Sequence, residues 1–405
     1  MRALVSATLF IMFASVGLAL YADRDPGHDH AHGHGHAHGH AHGHGHAHGH
    51  GHAHGHGHGP HAVQPVPEVE QRDRRLLAGP APSDNADQNA ARRAVGAALV
   101  DHDFRRALTA AEPWVRADRF DPWTLMAASD AHLELGQLEH AEDLLQRVLD
   151  MKPTPPSYFR AAYLLHLRGR DADAIAAMQL ALEGLPQAAA RERAWTLTEL
   201  GDLQRHAGEH AAAEVSYRRA LAIAPSWSLA RVGLAYCARA RGDLPAAAEL
   251  LREVEPSVQV LNQLALVESA LGQARRARRT FAAARELGER DDHYARALAH
   301  AFADHGTHTA RAVALARREL GVRPNAHTWD ALAHALWADG QASAALEASR
   351  RALAAGTREP QILFHAGLAA SSSGAREEAR AWLREAYRRD PGLRLHPQAP
   401  ALDTL

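Results

Sequence analysis

Cysteine, lysine and aromatic residues are scarce in this chain of 405 residues, and each scarcity closes off a class of explanation. Cys237 is the one cysteine, so no disulfide can form within the chain, nothing supports thiol catalysis, and soft-ligand trapping of Cu(I) is disfavoured. It falls in a helical segment, where a small buried side chain is the expectation. Lys152 is the one lysine, the other basic residues being arginine. Formal net charge is −2 at pH 7, so there is no bulk electrostatic pull towards nucleic acid or anionic lipid. Aromatics make up 5% of the chain while Ala and Leu abound, a composition suited to close helix packing and not to a β-sandwich. Catalytic signatures are missing too: no phosphate-cradling glycine loop, no nucleophile elbow and no H-E-x-x-H zinc motif. We expect no enzyme and no required cofactor.

The N-terminus reads as a targeting signal. Arg2 is followed by an uncharged apolar run from Ala3 to Leu20, with small residues at Gly17, Ala19 and Ala22 suited to cleavage. Residues 1–22 are thus a signal peptide, or, left uncut, an anchor just long enough to span a bilayer. Either way the remainder is exported, to a periplasmic or extracellular location, with membrane contact only through that segment.

Residues 23–61 form a low-complexity arm holding 17 of the chain's 31 histidines. They are His28, His30, His32, His34, His36, His38, His40, His42, His44, His46, His48, His50, His52, His54, His56, His58 and His61. Neutral imidazole is a favoured ligand for Zn²⁺, Ni²⁺ and Cu²⁺. Alternate residues of an extended chain lie roughly 6.5–7 Å apart, so several imidazoles reach one ion only if the backbone bends. The intervening Gly and Ala residues permit that. The expectation is a set of interchangeable sites with capacity for Zn²⁺ or Ni²⁺, and Cu²⁺ in vitro, that fail as pH falls through about 6.5. Two other readings stay open: a pH-dependent cationic tether to anionic envelope surfaces, and an incidental repeat expansion. Residues 62–87, rich in Pro and charge, read as an unstructured linker.

From about residue 88 to 391 the chain repeats at close to 34 residues. Aligned on Gly136, Gly169, Gly208, Gly242, Gly272, Gly306, Gly340 and Gly374 as position 15, position 8 is small in each unit: Ser129, Ala162, Gly201, Ala235, Ala265, Ala299, Ala333 and Gly367. Position 20 is Ala in most units, position 24 is usually large and apolar, and position 32 is often Pro. A glycine at 15 can take the left-handed conformation that ends a first helix. Small residues at 8 and 20 let two antiparallel helices approach, bulky ones fill the space between pairs, and Pro punctuates the unit. One hairpin cannot bury its own apolar face; a stack of them can.

This pattern resembles the tetratricopeptide repeat family over about three quarters of the chain, with eight clear units from about residue 122 and one degenerate unit before them. The segment QAAARER (187–193) lengthens one step, the unit from 228 is short and ends at Pro256, and the unit from 292 gains a residue in its turn. The resemblance implies an all-α, right-handed superhelical solenoid of helix hairpins behind a disordered arm. It also implies that positions 2, 5, 9, 12 and 13 face a concave groove for a protein or peptide partner: Trp123, Phe159, Tyr163, Trp195, Asp202, Arg205, Tyr236, Arg239 and Trp337. The lysine and asparagine clamp of the family's chaperone-tail binders is not visible. Residues 392–405 form a tail too short for another hairpin.

His293 and His327 share position 2 of consecutive units, and His300 and His334 share position 9. With Asp304 and Asp330 nearby in register they form a candidate second metal site, against which stands the plainer reading of duplicated surface histidines. The run Arg275 to Arg279 is expected on a solvated second-helix face. The expected function is an exported scaffold whose arm binds or buffers divalent metal; the alternative is an envelope-assembly scaffold whose arm is incidental or a tether.

Overall fold

The computed structural model describes residues 86–404 apart from 117–120. The signal segment, the histidine tract and nearly all of the linker lie outside the described residues, so the expectations about them rest on sequence alone.

Eighteen α-helices, with no strand among the described residues, run as antiparallel pairs. They are α1 (Ala86–Val100) with α2 (Phe104–Arg116), α3 (Pro122–Glu134) with α4 (Leu138–Met151), α5 (Pro155–Leu167) with α6 (Asp171–Gly184), and α7 (Ala190–Ala207) with α8 (His210–Ile223). There follow α9 (Ser228–Ala240) with α10 (Leu244–Arg252), α11 (Val258–Ala270) with α12 (Ala274–Glu289), and α13 (Ala295–Asp304) with α14 (Thr309–Val322). The last pairs are α15 (Ala326–Ala338) with α16 (Ala342–Leu353) and α17 (Pro360–Ser372) with α18 (Arg376–Arg389). The architecture is the all-α solenoid that the period implies. Among the described residues no helix is long and apolar enough to cross a membrane.

The local chemistry explains the pairing. At the end of α3 the Gly136 N–H donates to Leu133 O at 3.0 Å and the Gln137 N–H to His132 O at 2.8 Å, closing the helix through a residue at φ +70°. All eight position-15 glycines have positive φ. The first hairpin matched the pattern poorly because His102, at φ +56°, stands where the glycine would be. His308, at φ +52°, is the extra residue in the lengthened turn before α14. The QAAARER insertion starts α7 early, making it 18 residues long, and the short unit gives α10 only 9.

Size complementarity then sets how closely the helices approach. A Cβ built on Gly201 would lie 2.6 Å from the Tyr217 ring, and one on Gly367 would lie 2.4 Å from Leu383 Cγ. Tyr217 and Leu383 are fully buried, filling the hollow each glycine leaves; burial of such a side chain stabilises by roughly 1.5–3 kcal/mol. The exposed arginines 275, 276, 278 and 279 of α12 form the expected outer face.

The solenoid winds until its ends meet. A Cβ on Gly136 would be 2.7 Å from Pro324 O, one on Gly169 would be 2.4 Å from Gly356 O, and one on Gly208 would be 3.4 Å from Arg389 Cα. Each contact joins the turn of one hairpin to the loop that ends the hairpin five units later. Polar bonds run along the same seam: Asn325 Nδ2 donates to Glu134 at 2.6 Å, His166 Nε2 lies 3.1 Å from Glu359, and Arg389 Nη1 donates to Asp171 at 2.7 Å. The tail returns inward as well. Asp390 accepts from Arg239 at 2.6 Å, Leu393 is buried, and Gln398 Nε2 donates to Ala303 O at 2.8 Å.

Candidate functional site: a chamber on the inner face

First helices from eight consecutive hairpins present their inner faces to one cavity of about 240 Å³. Its walls include Glu134 from α3, Tyr163 and His166 from α5, Glu199, Asp202, Arg205 and His206 from α7, and Tyr236 and Arg239 from α9. Gln263 of α11, Arg296, His300 and Asp304 of α13, His327 and Asp330 of α15, Gln361 of α17, and the flanking Glu359 and Asp390 complete it. The seam described above is what turns a concave groove into a chamber.

Five of the nine residues expected in the groove line this chamber: Tyr163, Asp202, Arg205, Tyr236 and Arg239. Arg205 Nη2 donates to Asp202 at 3.0 Å, and the Tyr217 hydroxyl donates to the same oxygen at 2.8 Å. The guanidiniums of Arg205 and Arg239 lie over the Tyr236 ring, 4.7 and 5.1 Å from its centroid, two cation–π contacts. Trp123, Phe159 and Trp195 are placed otherwise. Trp123 is buried against residues of the first hairpin, and Phe159 and Trp195 are fully buried edge to face at 4.8 Å. At positions 2 and 5 a large ring is taken up by the neighbouring hairpin, so these three are core and no partner reaches them. Trp337 packs between hairpins, its indole N–H donating to Ser372 at 2.9 Å.

The four histidines of the candidate second site do not form one site. His293 sits in a 3-10 turn (Asp292–Tyr294) ahead of α13, bonded to Asp291 at 2.7 Å, so the α-helical spacing that would align it with His300 fails. His327 does share a helix with His334, but seven residues is about 10 Å of rise, too far for a shared ion. Instead His300 and His334 meet His365 of α17, with one ring nitrogen from each within 4.8 Å of the others. His365 lies at position 6, one helical turn from position 9, so a comparison of equal repeat positions does not pick it out. Asp330 lies 3.0 Å from His365 Nδ1, and Asp304 3.7 Å from His334 Nε2. Burial outweighs these carboxylates and pushes all three imidazoles down to about 3. They are neutral at physiological pH.

His327 joins a different group. Glu359 accepts from His327 Nε2 at 2.8 Å and lies 3.1 Å from His166 Nε2, while His166 Nδ1 lies 3.4 Å from Asp171. Burial alone would depress His166, but its bonds to Asp171 and Glu359 prevail and raise it to about 9. Burial opposes charge on Glu359 too, yet His327 and the bond from His166 hold that carboxyl well below its usual range. The group is an imidazolium clamped between two carboxylates across the seam. Elsewhere in the wall burial pushes the Glu134 and Glu199 carboxyls up, Glu199 also through its neighbour Asp202.

The tetratricopeptide repeat family model matches residues 126–189, 198–258 and 331–394. No curated protein matches the chain. Among solved structures, PilW, described as a widely conserved type IV pilus biogenesis factor, is similar over 49% of this chain and 92% of its own, at 20% identity and TM-score 0.44. MamA is similar over 39% of this chain and 91% of its own, at 19% identity and TM-score 0.33. The APC/C hetero-tetramer Cut9–Hcn1 covers 81% of this chain and 66% of its own, at 15% identity and TM-score 0.39.

Proposed function

The chain is a tetratricopeptide-repeat protein, and on that premise we propose that it is an exported protein-interaction scaffold whose arm at residues 28–61 binds or buffers Zn²⁺ or Ni²⁺. The observation that carries the scaffold reading is the convergence of Asp202, Arg205, Tyr236 and Arg239 from consecutive first helices on one chamber. Arginine and tyrosine are frequent anchors of protein interfaces. At about 240 Å³ the space takes side chains of a partner segment and not a whole helix. The metal half rests on the imidazole-bearing tract, and export on residues 1–22.

Full-length protein with the 17 tract histidines replaced by serine tests the arm. The unchanged chain should hold several zinc ions by competition with a chromophoric chelator, and the replaced chain at most one. Growth under zinc limitation and excess should differ between the two. Equal zinc capacity, or unchanged growth, would leave the plain envelope scaffold with an incidental arm. Tyr236→Ala tests the scaffold: partner capture from an envelope extract should fall with the variant and persist with the serine-replaced arm.

A further inference from the structure

We propose that His300, His334 and His365 form a binding site for one divalent transition metal ion of the zinc class, in the chamber wall behind His300 and independent of the histidine arm. His300 Nδ1 and His334 Nδ1 face each other at 3.5 Å. Two nitrogens bound to a tetrahedral Zn²⁺ at about 2.0–2.1 Å are about 3.4 Å apart, so this pair is already spaced for one ion.

The opposite edges of the rings carry the second argument. His334 Nε2 lies 3.4 Å from Gln398 Oε1 and 3.7 Å from Asp304, and His300 Nε2 lies 3.8 Å from Asp330. His365 Nδ1 lies 3.0 Å from both oxygens of Asp330. A metal-bound histidine characteristically gives its other N–H to a carboxylate or carbonyl, and that bond fixes the tautomer. The carboxylates approach the Nε2 edges at 3.7 and 3.8 Å, electrostatic contacts and not hydrogen bonds; in the tautomer with Nε2 protonated in both rings, the Nδ1 lone pairs of His300 and His334 are aimed at each other. A cation between them removes that repulsion. Asp304 and Asp330 supply two negative charges close by, without which a buried dication would be costly.

Coordination by the third ligand requires movement. His365 stacks on His334 with centroids 3.8 Å apart and planes 12° from parallel, so its ring must tilt to aim a lone pair at the ion. The contact on its free edge is Gln361 Nε2 at 3.3 Å, a flexible side chain that can follow. Entry is from the chamber, where His300 retains 21% side-chain exposure while His334 and His365 have none. All donors are nitrogen or oxygen, which suits Zn²⁺ or Ni²⁺.

The other imidazole–carboxylate group in the chamber shows the contrast. His206 Nε2 is taken by Arg205 Nη2 at 2.8 Å, and both nitrogens of His166 are engaged by carboxylates. No imidazole lone pair is left free there, and a guanidinium adjoins, so that cluster is a clamp.

The test is zinc titration of the full-length chain carrying the serine-replaced tract, with a chromophoric chelator as competitor. One equivalent should bind, and zinc should raise the thermal midpoint. His300→Ala removes a partly exposed ligand at small cost to the fold and should weaken binding at least about 100-fold. Asp330→Asn, which leaves all ligands in place, should weaken it about 10- to 100-fold. Absence of binding at micromolar zinc, or unchanged affinity in a folded His300→Ala chain, overturns the proposal. Failure of the arm reading looks different: the unreplaced chain would then bind no more zinc than the replaced one.

Discussion

Replacing Glu359 with glutamine removes the carboxylate that holds two histidines across the seam while keeping size and one acceptor oxygen. In the wild-type chain His166 rises from about 6.5 to about 9, against the pull of burial, because Asp171 and Glu359 favour its charged form. That difference corresponds to about 3 kcal/mol in favour of the protonated fold. Its sign follows from the raised value: the stabilisation is fully present below about pH 6.5 and disappears as pH climbs through about 9. Glu359, held below its usual range despite burial, contributes above about pH 4.5 and stops contributing as pH falls through its folded value. The seam is therefore tightest between roughly pH 4.5 and 6.5. In Glu359→Gln, His166 keeps Asp171 at 3.4 Å, so part of the effect survives; the expected loss is about 2 kcal/mol at pH 6. At pH 9.5 His166 is mostly neutral in both chains and the loss should nearly vanish. Urea unfolding of both proteins at the two pH values measures this. An equal loss at both, or no loss at pH 6, would refute a charged His166 at the seam.

The glycines give a second test of the same closure: Gly136→Ala and Gly340→Ala share a left-handed backbone (φ +70° and +77°), yet only the first would push a Cβ to 2.7 Å from a backbone oxygen of a distant hairpin. Both should destabilise by about 1–2 kcal/mol, and Gly136→Ala by at least about 1 kcal/mol more; equal denaturation midpoints would mean that the seam is open in solution. Cys237 is fully buried, and burial raises its thiol to about 11, so an aromatic disulfide reagent at pH 8 should leave the native chain unlabelled over an hour and label it at once in urea. Rapid labelling of the native chain would contradict that placement.

Much of the fold was legible because a repeat states each local rule many times. Glycine at position 15 recurs where the chain must turn left-handed, small residues recur where helices touch, and the lengthened turn at His308 shows as a slip of one residue in register. The chamber was legible only in part. Register within a unit picks out Asp202, Arg205, Tyr236 and Arg239, but it does not tell an inner-face ring from one sealed by the next hairpin, and Phe159 and Trp195 went the second way. His293 escaped its expected face because a helix start frays into a 3-10 turn, which no spacing rule registers.

By itself the sequence determined the hairpin, its turn, its helix contacts and the family to which they belong, since all of these depend on residues within one repeat length. It also determined that the tract at 28–61 is dense in neutral-pH ligands. Tertiary structure alone decided that the turn at Gly136 meets the loop at Pro324, that Glu359 clamps His166, and that His365 joins His300 and His334. Those meetings depend on small rotations summed over successive hairpins. No single residue encodes that sum.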